Sequence, residues 1–259
     1  MKERIYTIPI NEAFDKGTEC PLCVCEDKLE DDALRYTTGP AMMEPDTRIE
    51  TNKKGFCKDH YTKLCNLEQN KLPLALVIDT HLAEQIEALA GIYNKHEVDI
   101  IKESEKSAIG SAIDTLTGKK KVAGIAVSEL AEKLESLEKT CFVCDRLDAN
   151  MERLIENVLY LYEKEPEFRE KFKNSKGFCL KHFKLLLIKA SEEFSDPKQA
   201  EFLLDLIPTQ LEALKRVQED VNYFTKMFDY RNQNADWKNS RDAVPRSIEK
   251  ICGTCQLKR

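Results

Sequence analysis

The chain has 259 residues, 42% of them hydrophobic and 33% charged, with a formal net charge of −6. That composition suits a globular protein with one large core or two of ordinary size, and the acidic balance argues against a large sequence-independent nucleic-acid footprint. No stretch reaches transmembrane length and MKERIYTIPINEAF lacks a signal-peptide core, so the ten cysteines read as metal ligands before disulfides, in a reducing, cytoplasmic setting.

In chain order, Asn11 is placed to cap a short helix through Phe14, which Gly17 ends. Cys20-Pro-Leu-Cys23 follows as a knuckle, and residues 26–36 form a short helix. Residues 37–54, broken by Gly39, Pro40 and Pro45, show no periodicity and read as a long ordered loop. A helix opens at Cys57-Lys-Asp-His60 and runs to Leu67. Pro73 starts a long one to about Glu103, with Ile78, Leu82, Ile86, Leu89, Tyr93 and Ile100 on one face.

Residues 104–121 are polar and small, then basic, and suit a linker. A helix over 126–139 leads to Cys141-Phe-Val-Cys144, and Leu147, Met151, Leu154, Val158 and Leu161 form the next apolar stripe. After Cys179-Leu-Lys-His182 comes an apolar run, Phe183 to Ile188. Asp196 and Pro197 start a short helix to Ile207, Pro208 marks a boundary, and Leu211, Leu214, Val221, Phe224 and Phe228 give a last long helix. Few segments alternate with period two, so the fold class is all-α.

Two C-x2-C pairs are each followed, after 33 or 34 residues, by C-x2-H. Three soft thiolates and one imidazole, in pairs close enough to chelate, match a closed tetrahedral zinc site. The candidate ligands are Cys20, Cys23, Cys57 and His60 in one copy, and Cys141, Cys144, Cys179 and His182 in the other. Each copy is expected to close its own site, although a swapped arrangement also satisfies the spacing. Two zinc ions per chain are the expected cofactor, with iron–sulfur the alternative. Filling both sites takes the net charge to roughly −8.

The duplication extends beyond the ligands. Glu44-Pro-Asp-Thr-Arg48 and Glu165-Pro-Glu-Phe-Arg169 each follow their C-x2-C after a gap of 20 residues. Tyr61 and Phe183 follow the two histidines, and Leu64 and Leu186 stand four positions beyond them. Such self-similarity implies two pseudo-repeated helical units, expected at 1–103 and 126–230, with 104–125 as linker and 231–259 as a C-terminal strap. Pro followed by an acidic residue is a good helix start. Arg48 and Arg169 are placed to pair with a nearby carboxylate or with a net-negative metal centre.

TIPINEAF with ECPLC, MEPDTRIETNKKGFC, the second CxxC with KGFC, and FDYRNQNADWKNSRDAVPRSIEK are specific motifs that together span nearly the whole chain. In these the chain resembles a family of uncharacterised proteins from clostridia-like anaerobic bacteria, grouped as a domain of unknown function. The resemblance implies an intact fold of that family and no particular activity.

Among the remaining candidates, Cys25 and Cys65 have no counterparts in the second copy. Cys65 is expected to pack as a small apolar residue, and Cys25 is not assigned as a ligand. His81 and His96, on the long helix, are not assigned either. Cys252-Gly-Thr-Cys255 is a third CxxC without a C-x2-H partner. It suits half of an intermolecular metal site, a redox pair, or a reduced tail, and without a βαβ context the tail or accessory-ligand reading is preferred.

The strap holds Arg231, Asn232, Trp237, Arg241 and Arg246. Its structural reading has Trp237 plugging a groove while the arginines pair with acidic neighbours. Its functional reading is a polar pocket for a phosphate, another anion or a partner's carboxylates. A closed four-ligand site leaves no position for water, so no residue is assigned as catalytic and the first reading is a binding or adaptor protein with an unidentified protein partner or small anionic ligand. The alternative is a metalloenzyme, a hydrolase with Glu44 or Glu165 as general base or an iron–sulfur redox protein. Nucleic-acid binding fits poorly without a basic recognition helix, no membrane role is indicated, and the long amphipathic helices leave a homo-oligomer open.

Overall fold

A computed structural model describes residues 7–39, 43–67, 71–105, 122–232 and 234–255. Among the described residues there are eleven α-helices and no strand, so the fold is all-α. They are α1 Thr7–Asp15, α2 Pro21–Thr37, α3 Pro45–Lys54, α4 Lys58–Asn66, α5 Leu72–Ser104, α6 Val122–Glu138, α7 Phe142–Lys164, α8 Pro166–Lys173, α9 Leu180–Glu193, α10 Asp196–Lys226 and α11 Ala243–Cys252.

The chain divides into two compact units. Unit 1 joins Met1–Asp31 to Asp148–Arg259, and unit 2 is Asp32–Leu147. This division differs from the consecutive segments 1–103 and 126–230, because the cuts fall inside α2 and α7. Of the 104–125 segment, residues 106–121 lie outside the described residues.

Unit 1 is built on an aromatic core. Phe14 of α1 meets the Phe168 ring of α8 at 4.9 Å, and Phe172 packs on Tyr162, Phe178 and Phe202 at 5.2 to 5.5 Å. The α7 stripe Leu147, Met151, Leu154, Val158 and Leu161 is buried throughout, as its spacing predicts. Arg169, on α8, donates to Glu201 and Asp205 of α10 and lies over the Tyr162 ring. In unit 2, α5 packs against α3 and antiparallel to α6, and a smaller core forms around Leu34, Phe56, Leu64, Leu74, Val77 and Phe142. Arg48, on α3, donates to Leu76 O and Thr80 Oγ1 of α5.

One long helix in each unit grips the backbone at or just before its Gly-Phe-Cys segment, the loop itself in unit 1 and the last turn of α3 in unit 2. In unit 1 the fully buried Gln210 of α10 accepts from Phe178 N and donates to Phe178 O, at 2.8 and 2.9 Å. In unit 2 Gln85 of α5 donates to Asn52 O, and His81 Nδ1 lies 2.6 Å from the same oxygen. The glycines at both loops have positive φ, 61° at Gly55 and 77° at Gly177. A Cβ on Gly55 would come within 2.8 Å of the His81 ring, and one on Gly177 within 2.8 Å of Ala213 Cβ. Glycine is required at both places because the long helix approaches the backbone itself.

Several local expectations are corrected. Asn11 lies inside α1 and donates to Thr7 O instead of capping, since the helix already starts at Thr7. The first CxxC is the opening turn of α2, which extends the expected helix toward the N-terminus. The expected loop over 37–54 contains α3, which starts at Pro45 and ends on two lysines, a favourable arrangement for the helix dipole. Pro208 lies inside α10 and does not end it. It leaves Leu204 O without its usual donor, but Leu204 is 75% exposed, so solvent can replace that bond. The α5 face chosen from its apolar residues is only partly buried: Ile78, Leu89 and Ile100 are half-buried, while Leu82, Ile86 and Tyr93 point outward at 53%, 66% and 47% exposure. The buried residues of that helix are Leu74, Val77, Gln85 and His96.

Gln210→Ala removes both partners of a buried peptide unit. It is expected to cost about 3 kcal/mol in urea unfolding, and Gln210→Glu should be at least as costly near neutral pH, because it sets a buried carboxylate against Phe178 O.

Candidate metal centres

Each C-x2-H pair is built by a helix start. Cys57 and Cys179 are the N-caps of α4 and α9, with extended backbones (φ −69° at both), and the histidine stands three residues on, in the first turn. The His182 N–H points at Cys179 Sγ, 3.5 Å away. The C-x2-C pairs sit on helix starts as well. Cys20 and Cys141 precede the first residues of α2 and α7, and Cys144 N–H points at Cys141 Sγ, 3.5 Å away.

These pairs meet in crossed order. Cys20 and Cys23 join Cys179 and His182, while Cys141 and Cys144 join Cys57 and His60. The expectation that each copy closes its own site is therefore corrected. The reason lies in the chain path. α2 begins in unit 1 and ends in unit 2, and α7 begins in unit 2 and ends in unit 1, so each C-x2-C stays in the unit where its helix starts.

In each cluster the four ligand atoms lie within 4.8 Å of one another. In unit 1 the sulfurs of Cys20, Cys23 and Cys179 are 3.4, 3.4 and 3.2 Å from His182 Nδ1, and Cys23 Sγ is 3.6 Å from Cys179 Sγ. In unit 2 Cys57, Cys141 and Cys144 are 3.2, 3.2 and 3.4 Å from His60 Nδ1, and Cys57 Sγ is 3.9 Å from Cys144 Sγ. A tetrahedral zinc ion with ordinary Zn–S and Zn–N bonds has edges of about 3.8 Å between sulfurs and about 3.5 Å between sulfur and nitrogen. The spacings match those edges, and all ten cysteines are free. The donor set fits a metal ion.

The electrostatics of the donor sets point the same way. Hydrogen bonds from Cys20 and Cys23 hold the Cys179 thiol far below its ordinary range. Burial pushes the Cys20 thiol up to about 12. Burial would lower His182, but hydrogen bonds to Cys179 and Cys23 outweigh it and raise the imidazole to about 9. In unit 2 burial raises Cys141, but hydrogen bonds from His60 and the Cys144 N–H bring it down to about 6. Each cluster thus favours thiolate beside a competing proton, and a dication replaces those protons at lower cost.

The surroundings of the two centres differ. In unit 1 the four ligands are 0 to 5% exposed, whereas Cys57 and Cys144 in unit 2 are only half-buried. His182 Nε2 faces Glu26 at 3.4 Å, and Glu26 is also paired with Lys181.

In unit 2 the residues before each motif bond directly, Thr140 Oγ1 to Lys54 O, and Phe142 N donates to Gly55 O. In unit 1 the corresponding carbonyls, Glu19 O and Lys176 O, are bridged by the ammonium of Lys250, a lysine only 1% exposed. Glu19 also receives Arg216 and Lys250. Burial would raise its carboxyl, but those cations hold it below the ordinary range. The same strap sets Gly253 against the centre, where an added Cβ would stand 3.5 Å from Cys23 Sγ and 3.8 Å from Cys179 Sγ. The sequence reading missed Lys250, Gly253, Gln85, Gln210 and Glu26. The only signal for them was the third CxxC around Gly253.

The other candidates lie apart from the ligand clusters. Arg231 is paired with Asp229, and Asn232 donates to Lys226 O. Trp237 packs on Phe224 and Phe228, and Arg246 is held by Glu19, Asp220 and Asp242. Arg241 is exposed. Glu44 caps α3 beside Tyr36 and Thr47, Glu165 caps α8, and neither belongs to a ligand cluster. His96 faces Glu129. Cys25 is buried, with its thiol pushed up to about 11 by burial. Cys65 is exposed, contrary to expectation, because it falls on the outer side of α4. Cys252 is exposed and Cys255 half-buried, and neither is among the eight clustered ligands.

The crossed pairing has a direct check. In metal-loaded Cys23→Ser, maleimide labelling with peptide mass mapping should find Cys179 open and Cys57 and Cys141 protected. Opening of Cys57 together with Cys23→Ser would restore the within-copy pairing.

No curated protein and no solved structure matches this chain. The model of a family of unknown function, DUF6062, matches residues 1–258. With both Cys3His centres inside that span, the chain belongs to the DUF6062 family.

Proposed function

We propose that this protein is a zinc-binding helical scaffold, an adaptor whose two metal centres pin loops to long helices while its surface recognises a protein partner or a small anionic ligand. The observation that carries the reading is the closure of both sites. Each has four protein donors at the edge lengths of a single tetrahedral ion, which leaves no position for water or substrate. An iron–sulfur cluster needs its ligands spread around a cage of iron and sulfide, so the convergence of the donors favours zinc.

Several features support the rest of the reading. The similar grip of α10 on Phe178 and of α5 on Asn52, three residues before Gly55, with an arginine from the preceding short helix, supports two copies of one supersecondary unit. The exposed stripe of Leu82, Ile86 and Tyr93 on α5 supports a protein partner or a second copy of the chain. For an anion, Arg231 and Arg246 are already paired with acidic neighbours, which leaves the exposed Arg241 and a polar cleft of about 480 Å³ in unit 1, lined by Lys173, Lys176, Lys215 and Arg216 together with Glu212 and Glu219. Thiolate ligation requires reduced sulfur, which supports the cytoplasm as the setting.

Anaerobic purification followed by metal analysis and a visible spectrum tests the proposal. Two zinc ions per chain without colour are expected, whereas iron with sulfide and a brown absorbance would overturn it. A structural zinc contributes about 10–16 kcal/mol of binding, as much as the whole stability of a typical domain. Stripping the metal with a chelator should therefore abolish much of the helical circular dichroism.

A further inference from the structure

The unit 1 centre is sealed, and its seal is the end of α11. Cys23 and Cys179 are 5% and 0% exposed, and Gly253, itself buried with φ at +89°, packs so near that an added Cβ would stand 3.5 and 3.8 Å from their sulfurs. Thiols flank this glycine, Cys252 one residue before it and Cys255 two residues after it. Cys252 is exposed and Cys255 is half-buried, with its Sγ 3.4 Å from Gly253 O. Free cysteine is usually a buried, apolar residue, so an exposed thiol in a second chelating pair has no packing role to explain it. Along the chain the Cα atoms of these cysteines stand about 4 and at most about 8 Å from that of the glycine packed beside the ligand sulfurs. The last turn of a helix also opens at little cost.

We propose that Cys252 and Cys255 form an exchange site for a thiophilic d10 ion, through which zinc enters and leaves the unit 1 centre. The inference rests on the zinc reading above. As the end of α11 lifts, two zinc–sulfur bonds to Cys23 and Cys179 break and two form to Cys252 and Cys255. The tail thiols give up two protons and the vacated thiolates take up two. Charge and protons balance, and no oxidant takes part. The exposed pair then hands the ion to an acceptor in solution. Associative exchange of this kind avoids a bare ion and bare buried thiolates, whose desolvation would otherwise set the barrier. The unit 2 centre has two half-buried ligands of its own, Cys57 and Cys144, and no such tail against it among the described residues.

The test compares the zinc-loaded full chain with Cys252→Ser/Cys255→Ser, in which exposed thiols are replaced without disturbing Gly253. Both are challenged with the chelator 4-(2-pyridylazo)resorcinol, quenched with N-ethylmaleimide at intervals, and mapped by peptide mass spectrometry, which reads each centre separately. The expected result is at least tenfold slower exposure of Cys20, Cys23 and Cys179 in the variant, with Cys57, Cys141 and Cys144 unchanged and two zinc ions still bound at the start. Equal rates at the unit 1 cysteines, or equal slowing at both centres, would overturn the exchange site and leave the scaffold reading intact. A wild-type chain without zinc at the unit 1 ligands would overturn both.

Discussion

Negative charge held on helix starts is the constraint from which the rest of this fold follows. Each centre takes one ligand pair from a C-x2-C helix and one from a C-x2-H helix, and both pairs lie at N-termini. A helix N-terminus carries roughly half a positive charge and unpaired N–H groups. Three thiolates and a dication leave about one negative charge. Two helix starts thus match one metal centre in charge as well as in geometry. The requirement fixes where α2, α4, α7 and α9 begin, and the long helices then hold the loops between them.

The eight clustered donors were readable in the sequence because a chelating set has short, fixed spacings. Their pairing was not, since the crossed and uncrossed arrangements use the same donors. The core was readable in α7, where apolar residues recur at helical spacing and are buried. It was misleading in α5 and α10. The buried face of α10 passes through Gln210 and that of α5 through Gln85 and His96, while Leu82, Ile86 and Leu211 face outward. A polar residue that satisfies a buried peptide belongs to the core as firmly as a leucine, but hydrophobic periodicity does not register it.

The two centres solve the same problem differently. In unit 2 neighbouring backbones and Thr140 bond directly behind the ligands. In unit 1 the strap supplies Lys250, whose buried ammonium joins two carbonyls and faces Glu19. A buried lysine costs several kcal/mol unless paired. Here burial pushes the ammonium's pKa down, and the Glu19 carboxylate beside it opposes that shift. The strap, whose arginines the sequence offered either to acidic neighbours or to an anion pocket, is an integral part of the unit 1 site through Lys250, Gly253 and Arg246.

Crossing also sets an order of events during synthesis. Unit 2 is a continuous insertion, Asp32–Leu147, so all of its residues have been made before the second half of unit 1 exists. Domains fold as they emerge from the ribosome, N-terminal parts first. The central centre can therefore close while Cys20 and Cys23 still wait, reduced and unpartnered, for Cys179 and His182. The outer centre gains its seal only when the chain is almost finished, at Gly253. In a nascent chain the first pair of cysteines made is thus the pair that must remain reduced longest, which ties maturation of this protein to the redox state of the compartment that makes it.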